Sequence, residues 1–158
     1  MAKKRRRLLK LLFWILVLFF VIQFIPAKKP PVSEQNPNDF IRTAHVPDSV
    51  AVLFKNACYD CHSNQTVYPW YTYVAPASWL IVRDVKDGRK HVNFSEWNSF
   101  KITKKLKVLD KAADEIKSGD MPFWPFLIMH PKARLTKKER KIMVEWLDNK
   151  GEKMFSGE

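Results

Sequence analysis

The five residues Cys58-Tyr59-Asp60-Cys61-His62 contain the only two cysteines in the chain. Cysteines three apart at a helix end can reach two vinyl groups on one edge of a haem, and the next histidine can then offer its imidazole to the iron. A chain carrying this pattern folds around a macrocycle, so the motif constrains architecture and chemistry together. Other readings of the same residues are weaker. A Cys58–Cys61 disulfide suits an oxidising compartment, but redox-active pairs usually sit at a strand–helix junction, which is absent here. A zinc site needs a fourth ligand beyond Cys58, Cys61 and His62, and no second ligand pair at regular spacing follows. The motif therefore predicts one covalently bound haem c with its iron.

The formal charge of +12 suggests nucleic acid until it is divided along the chain. Lys3, Lys4, Arg5, Arg6, Arg7 and Lys10 supply half of it within the first ten residues. From Leu8 to Ile25 the chain is apolar except for Lys10 and Gln23. As a helix this stretch spans about 27 Å, just short of a hydrocarbon core of about 30 Å, and Lys10 can snorkel. Basic residues before an apolar span stay cytoplasmic. The expectation is a transmembrane anchor with the rest of the chain exported, and no nucleic-acid role. A cleaved signal peptide is the alternative, although Ile25 and Pro26 before Ala27 make a poor cleavage site.

Pro26, Pro30, Pro31, Pro37 and Pro47 punctuate a polar stretch that reads as an extended spacer. Three helices follow in the sequence pattern. The first spans about Asp48 to Cys61, with Val50, Leu53, Phe54, Ala57 and Cys61 on one face. The second spans about Thr103 to Ser118, with Leu106, Leu109, Ala113 and Ile116 on a stripe and Gly119 placed to end it. The third starts at Thr136, which forms a capping-box pattern with Glu139, buries Ile142, Met143, Trp146 and Leu147, and stops at Gly151. Trp79 to Val85 reads as a short helix inside a long aromatic-rich segment. No strand pattern persists.

For the sixth iron ligand, Met121 in Gly119-Asp120-Met121-Pro122 leads, because a thioether in a shaped turn can bind the far haem face and Met/His ligation raises the potential. Most methionines merely fill space, which is the competing role. His130, Met129, His91 and an open site are the other candidates. His45, beside the linker, reads as surface.

Cys58–His62, Ser63-Asn64-Gln65-Thr66, Tyr68-Pro69-Trp70-Tyr71, Gly88-Arg89, Asn93–Trp97, Met121-Pro122 and His130-Pro131 together resemble a bacterial family known as the haem-binding domain, over residues 45–150. In that family the CxxCH carries one c-type haem. The order helix, CxxCH, long loop, helix, Met-Pro, helix is more distantly similar to class I cytochromes c. That likeness implies an all-α fold, a small cytochrome c-like helical domain wrapped around one haem, with Met121 on the distal side. The Tyr68–Tyr73 and Asn93–Trp97 runs have no counterpart in it.

The expected organisation is a basic anchor helix (1–25), a Pro-rich linker (26–44), a haem-binding domain (45–151) and a tail (152–158). The expected placement is a bacterial inner membrane, single-pass, with a cytoplasmic N-terminus and a periplasmic haem domain. Trp70, Tyr71, Tyr73, Trp79 and Trp97 are enough to wall a haem pocket, and Trp79, Arg83 or Arg89 can meet the propionates. The competing view is ordinary core aromatics and surface arginines. Nothing beside Asp84 or Glu96 argues for acid–base catalysis. An electron carrier meeting transient redox partner proteins leads the functional readings. A ligand sensor or haem enzyme with an open distal site, and a haem-bearing subunit of a membrane complex, are the alternatives.

Overall fold

The computed structural model describes residues 2–157. Among these the regular structure is entirely helical, 70% of the chain with no strand. Eight α-helices run in order: α1 Ala2–Ile22, α2 Phe40–Thr43, α3 Asp48–Ala57, α4 Tyr59–His62, α5 Ala77–His91, α6 Ile102–Ser118, α7 Trp124–Met129 and α8 Lys137–Ser156. Short 3₁₀ turns lie at Trp70–Tyr73, Phe94–Ser99 and Pro131–Ala133.

The expected transmembrane helix is not there. No helix among the described residues is long and apolar enough to cross a membrane. The first half of α1 carries Arg5, Arg6, Arg7 and Lys10, so its unbroken apolar run is only Leu11–Ile22, about 18 Å of helix against a core of about 30 Å. The helix also ends early. Gln23 turns the chain by gripping Ala75 twice: its Nε2 donates to Ala75 O at 3.1 Å, and its Oε1 accepts from Ala75 N at 2.9 Å. The single-pass inner-membrane placement, with a periplasmic domain, is overturned with the span on which it depended.

The following proline-rich stretch is extended but bonded to the body. Trp79 Nε1 donates to Ile25 O at 3.0 Å, Lys29 Nζ to Thr72 Oγ1 at 3.0 Å and Arg89 Nη1 to Pro31 O at 2.8 Å. Further on, Ser33 N donates to Asn64 O at 2.8 Å.

Phe40 is the centre of the core. It is fully buried, and its ring lies 4.8 to 5.6 Å from those of Trp97, Phe94, Phe54 and Trp146. Phe54, Trp97 and Trp146 meet it edge-on, and such pairs each contribute about 0.5–1.5 kcal/mol beyond area burial. Around them α3 turns Val50, Phe54 and Ala57 inward, the spacing a helical face requires. The long helices α6 and α8 run antiparallel, with Leu109, Ala113 and Ile116 facing a core that includes Met143 and Leu147. Arg140, at the start of α8, donates to Ile116 O at 2.9 Å near the end of α6.

The helix ends follow elementary capping rules. Gly119 stops α6 with φ 91°, a left-handed conformation that a side chain resists. Thr136 and Glu139 form the reciprocal capping box. The third predicted helix, however, does not stop at Gly151. It continues to Ser156 and is capped by Gly157 at φ 80°. The predicted helix at Trp79–Val85 is longer too, Ala77–His91.

Candidate haem centre

The motif sits where one helix yields to another. Cys58 leaves helical geometry at φ −127°, which ends α3, and its carbonyl accepts from Cys61 N at 3.2 Å and His62 N at 2.9 Å to start α4. Two hydrogen bonds brace this corner: Ser63 Oγ donates to Tyr59 O at 2.8 Å, and Thr66 Oγ1 to Asp60 O at 2.7 Å. Tyr59 is buried, stacked 5.6 Å from Phe94, and its hydroxyl donates to Asp39 Oδ1 at 3.0 Å.

His62 is oriented by α5. Its Nδ1 lies 2.9 Å from Gly88 O and 3.4 Å from Val92 O. Carbonyls only accept, so Nδ1 carries the proton and Nε2 keeps its lone pair. No hydrogen bond to Nε2 exists among the described residues. Burial lowers the imidazole's pKa, partly offset by the bonds to Val92 and Gly88, so the neutral, ligand-competent form is favoured. An Nδ1–H fixed by a carbonyl is the usual support for a histidine that binds metal.

Close packing makes this possible. A Cβ at Gly88 would stand 2.6 Å from Cys61 O, so only glycine allows α5 to approach the motif backbone so closely. In the sequence Gly88 stands out only as part of a family string. A glycine inside a helical pattern is the available signal, but nothing local links it to a motif 26 residues earlier.

Both cysteines are free thiols. Burial, with lesser repulsion from Cys61, pushes Cys58 up to about 12, and burial with Asp60 and Asp84 does the same to Cys61. Such thiols stay protonated in the haem-free chain. No group of three His, Cys, Asp or Glu side chains among the described residues converges on a point where a metal ion could sit.

An apolar surface of the right chemistry is present. The apolar helix α7, Trp124–Met129, has no fully buried side chain: Pro125, Phe126 and Leu127 are half-buried and the others exposed. Trp124 is 70% exposed, Ile128 61% and Met121, just before the helix, 37%. The exposed apolar side chains here are a surface that a haem face fits. The donor set, the fixed His62 tautomer and this uncovered surface thus all fit the macrocycle.

The remaining predicted residues are placed as follows. Met121 is anchored through its backbone, its carbonyl accepting from Arg140 Nη1 at 2.7 Å and its N–H donating to Glu115 O at 3.1 Å. His91 is exposed at the end of α5, and His45 is exposed with φ 55°. Trp79 spends its single N–H on Ile25 O. Arg89 donates to Pro31 O and to Thr66 Oγ1 at 3.0 Å, leaving Nε buried without a partner. Arg83 pairs loosely with Asp84 at the surface. Of the expected pocket wall, Trp97 belongs to the Phe40 core, whereas Trp70 and Tyr73 are mostly exposed. His130 is bonded through both nitrogens, to Phe126 O and to the Tyr71 hydroxyl.

A family model described as the haem-binding domain matches residues 17–149. No curated protein and no solved structure matches, so the likeness to class I cytochromes c rests on element order alone. With most of its length matched, and with the motif held as described, the chain belongs to the haem-binding domain family.

Proposed function

We propose that the chain is a mono-haem c-type cytochrome that carries electrons between transient protein partners. In this reading Cys58 and Cys61 supply the sulfurs of two thioether links, and His62 Nε2 is the proximal iron ligand. The observation that carries it is the pairing of two free thiols with a histidine whose Nδ1 is tied to Gly88 O and whose Nε2 has no partner among the described residues. When bound, the haem supplies a one-electron ferric/ferrous couple. The chain's own residues do the rest. Gly88 and Val92 orient the imidazole, and Met121 offers a thioether from a turn fixed by Arg140. Arg89, whose buried Nε lacks an acceptor, is the group for a propionate. Trp79 is already committed to Ile25 O and is left out of this role. Partner encounters for such carriers are small and short-lived.

The test is the visible spectrum of the full chain matured with haem. The pyridine haemochrome should report two thioether links, and Cys58→Ser should leave one. The ferrous spectrum should not change on adding carbon monoxide, whereas Met121→Ala should make it respond. A rapid response in the unmodified protein would refute a protein-held sixth position and favour a ligand sensor or enzyme.

A further inference from the structure

His62 and His130 share one arrangement and differ in one atom. His130 Nδ1 lies 3.0 Å from Phe126 O, so it carries the proton, as Nδ1 of His62 does. Its Nε2 is engaged: the Tyr71 hydroxyl lies 3.2 Å away and donates to it. Asp60 Oδ2, inside the CxxCH motif, is 4.0 Å from the same nitrogen. The imidazole is stacked on Phe126 at 3.8 Å and meets Tyr71 edge-on at 6.2 Å. The lone pair that an iron would need is already taken.

The segment His130 holds is anchored by buried Pro122 before α7 and buried Ala133 after it, and between them only Pro125, Phe126 and Leu127 are half-buried. None of the α7 side chains is fully buried or joins the Phe40 core, so hydrophobic packing fixes the helix only in part. Arg140 pins the segment's start at Met121 O, and Arg134 Nε touches Leu127 O at 3.3 Å. At its far end His130 ties α7 to the Trp70–Tyr73 turn by hydrogen bonds and stands 4.0 Å from Asp60 of the motif. Asp60 is itself held, its Oδ1 accepting from Val67 N at 3.0 Å.

We propose that His130 is a clamp and not an iron ligand: through the Tyr71 hydroxyl it fastens the segment running from Met121 through α7 to the Trp70–Tyr73 turn, beside Asp60 of the motif. His130 and Tyr71 are positioning residues, and their effect on the iron is indirect, by limiting how far Met121 can leave. That consequence rests on the haem reading, whereas the clamp is a property of the chain alone.

The test uses the full chain carrying His130→Phe, which keeps a ring to stack on Phe126, or Tyr71→Phe, which removes only the hydroxyl, and both together. Hydrogen exchange over residues 121–130 should quicken about fivefold in Tyr71→Phe, the loss of one net hydrogen bond, and at least as much in His130→Phe, which also loses the bond to Phe126 O. The double variant should be no faster than His130→Phe, and α6 should be unaffected. Unchanged exchange, or additive effects, would overturn the clamp. In the haem-loaded protein both single variants should keep the resting spectrum, while their ferrous iron binds carbon monoxide that the unmodified protein excludes. If His130→Phe alone turns the iron high-spin, His130 is a ligand and the proposal is wrong. A wild-type chain with no haemochrome would sink the haem reading only, and exchange would still decide the clamp. Should His130→Phe lose its helical circular dichroism, Tyr71→Phe decides.

Discussion

Adding one methyl group at Gly88 should destabilise the fold, although the same change usually strengthens a helix. Gly88 lies inside α5, where alanine is ordinarily favoured by about 1 kcal/mol. Here the new Cβ would meet Cys61 O at 2.6 Å, Cys61 C at 3.0 Å and Cys61 Cβ at 3.2 Å. Carbon and oxygen in close contact rest about 3.3 Å apart, so α5 and the motif must separate by about 0.7 Å. The nearest atoms are backbone, and no flexible side-chain end can swing aside. A shift of that size along the Gly88 O···His62 Nδ1 bond would stretch it from 2.9 Å to about 3.6 Å, past hydrogen-bonding range. Overpacking costs about 1–3 kcal/mol and the lost bond about 1, against about 1 regained from propensity. The net expectation for Gly88→Ala is a loss of about 1–3 kcal/mol. Gly151 is the matched control. It also lies inside a helix, but a Cβ there would meet nothing within 4 Å, so Gly151→Ala should stabilise by about 0.5–1 kcal/mol. Urea unfolding of the full chain without haem gives both values from the midpoint shift at common slope. If the two variants shift the midpoint in the same direction, the close approach of α5 to Cys61 is wrong.

Phe40→Ala should cost about 3–5 kcal/mol in the same assay, because the ring is fully buried among four other aromatics; a change below about 1 kcal/mol would place Phe40 outside the cooperative fold. The thiols predict a pH dependence. Burial lifts each from an ordinary 9.0 to about 12, so between those values the unfolded chain releases these protons first. Stability of the haem-free protein should therefore be insensitive to the thiols below pH 9.0 and fall with rising pH above it, by up to about 1.4 kcal/mol per pH unit and thiol. A Cys58→Ala/Cys61→Ala variant should lose that part of the slope, and an identical alkaline profile in both proteins would rule the buried thiols out as its source.

How much of this fold is legible in the sequence depends on how far apart the interacting residues lie. The faces of α3, α6 and α8 are legible because periodic apolar residues and local caps mark them: Gly119 in its left-handed turn and the Thr136–Glu139 box lie within a few residues of what they cap. Gly151 misleads because glycine is only a frequent helix stop, and continued packing by Met154 carries α8 past it. Residues 1–25 mislead because their apolar content is counted through Lys10 and past Gln23, whereas Gln23 has a partner 52 residues away that breaks the helix. Side-chain type alone points Trp79 and Arg89 towards a pocket. Their partners, the carbonyls of Ile25 and Pro31, lie more than fifty residues earlier, in a stretch whose composition suggests only a spacer. The exposed helix α7 carries no polar–apolar alternation, so periodicity has nothing to detect.

The two histidines explain why residue type and neighbourhood do not identify a ligand. Both follow or precede segments rich in apolar residues, both are partly buried, and both have Nδ1 fixed by a backbone carbonyl. The sequence therefore offers each as a candidate. What separates them is the group opposite Nε2. For His62 the packing of α5 against Cys61 spends the hydrogen bonds on Nδ1 and leaves the other nitrogen bare. For His130 a tyrosine 59 residues away occupies it. Since a neutral imidazole has one lone pair, an engaged Nε2 must first break its bond to Tyr71 before it can bind a metal, a cost His62 does not bear. On the proposed haem reading, ligand choice is set by long-range placement of hydroxyl and carbonyl groups around two similar imidazoles, and exchanging Tyr71 for phenylalanine removes only one side of that distinction.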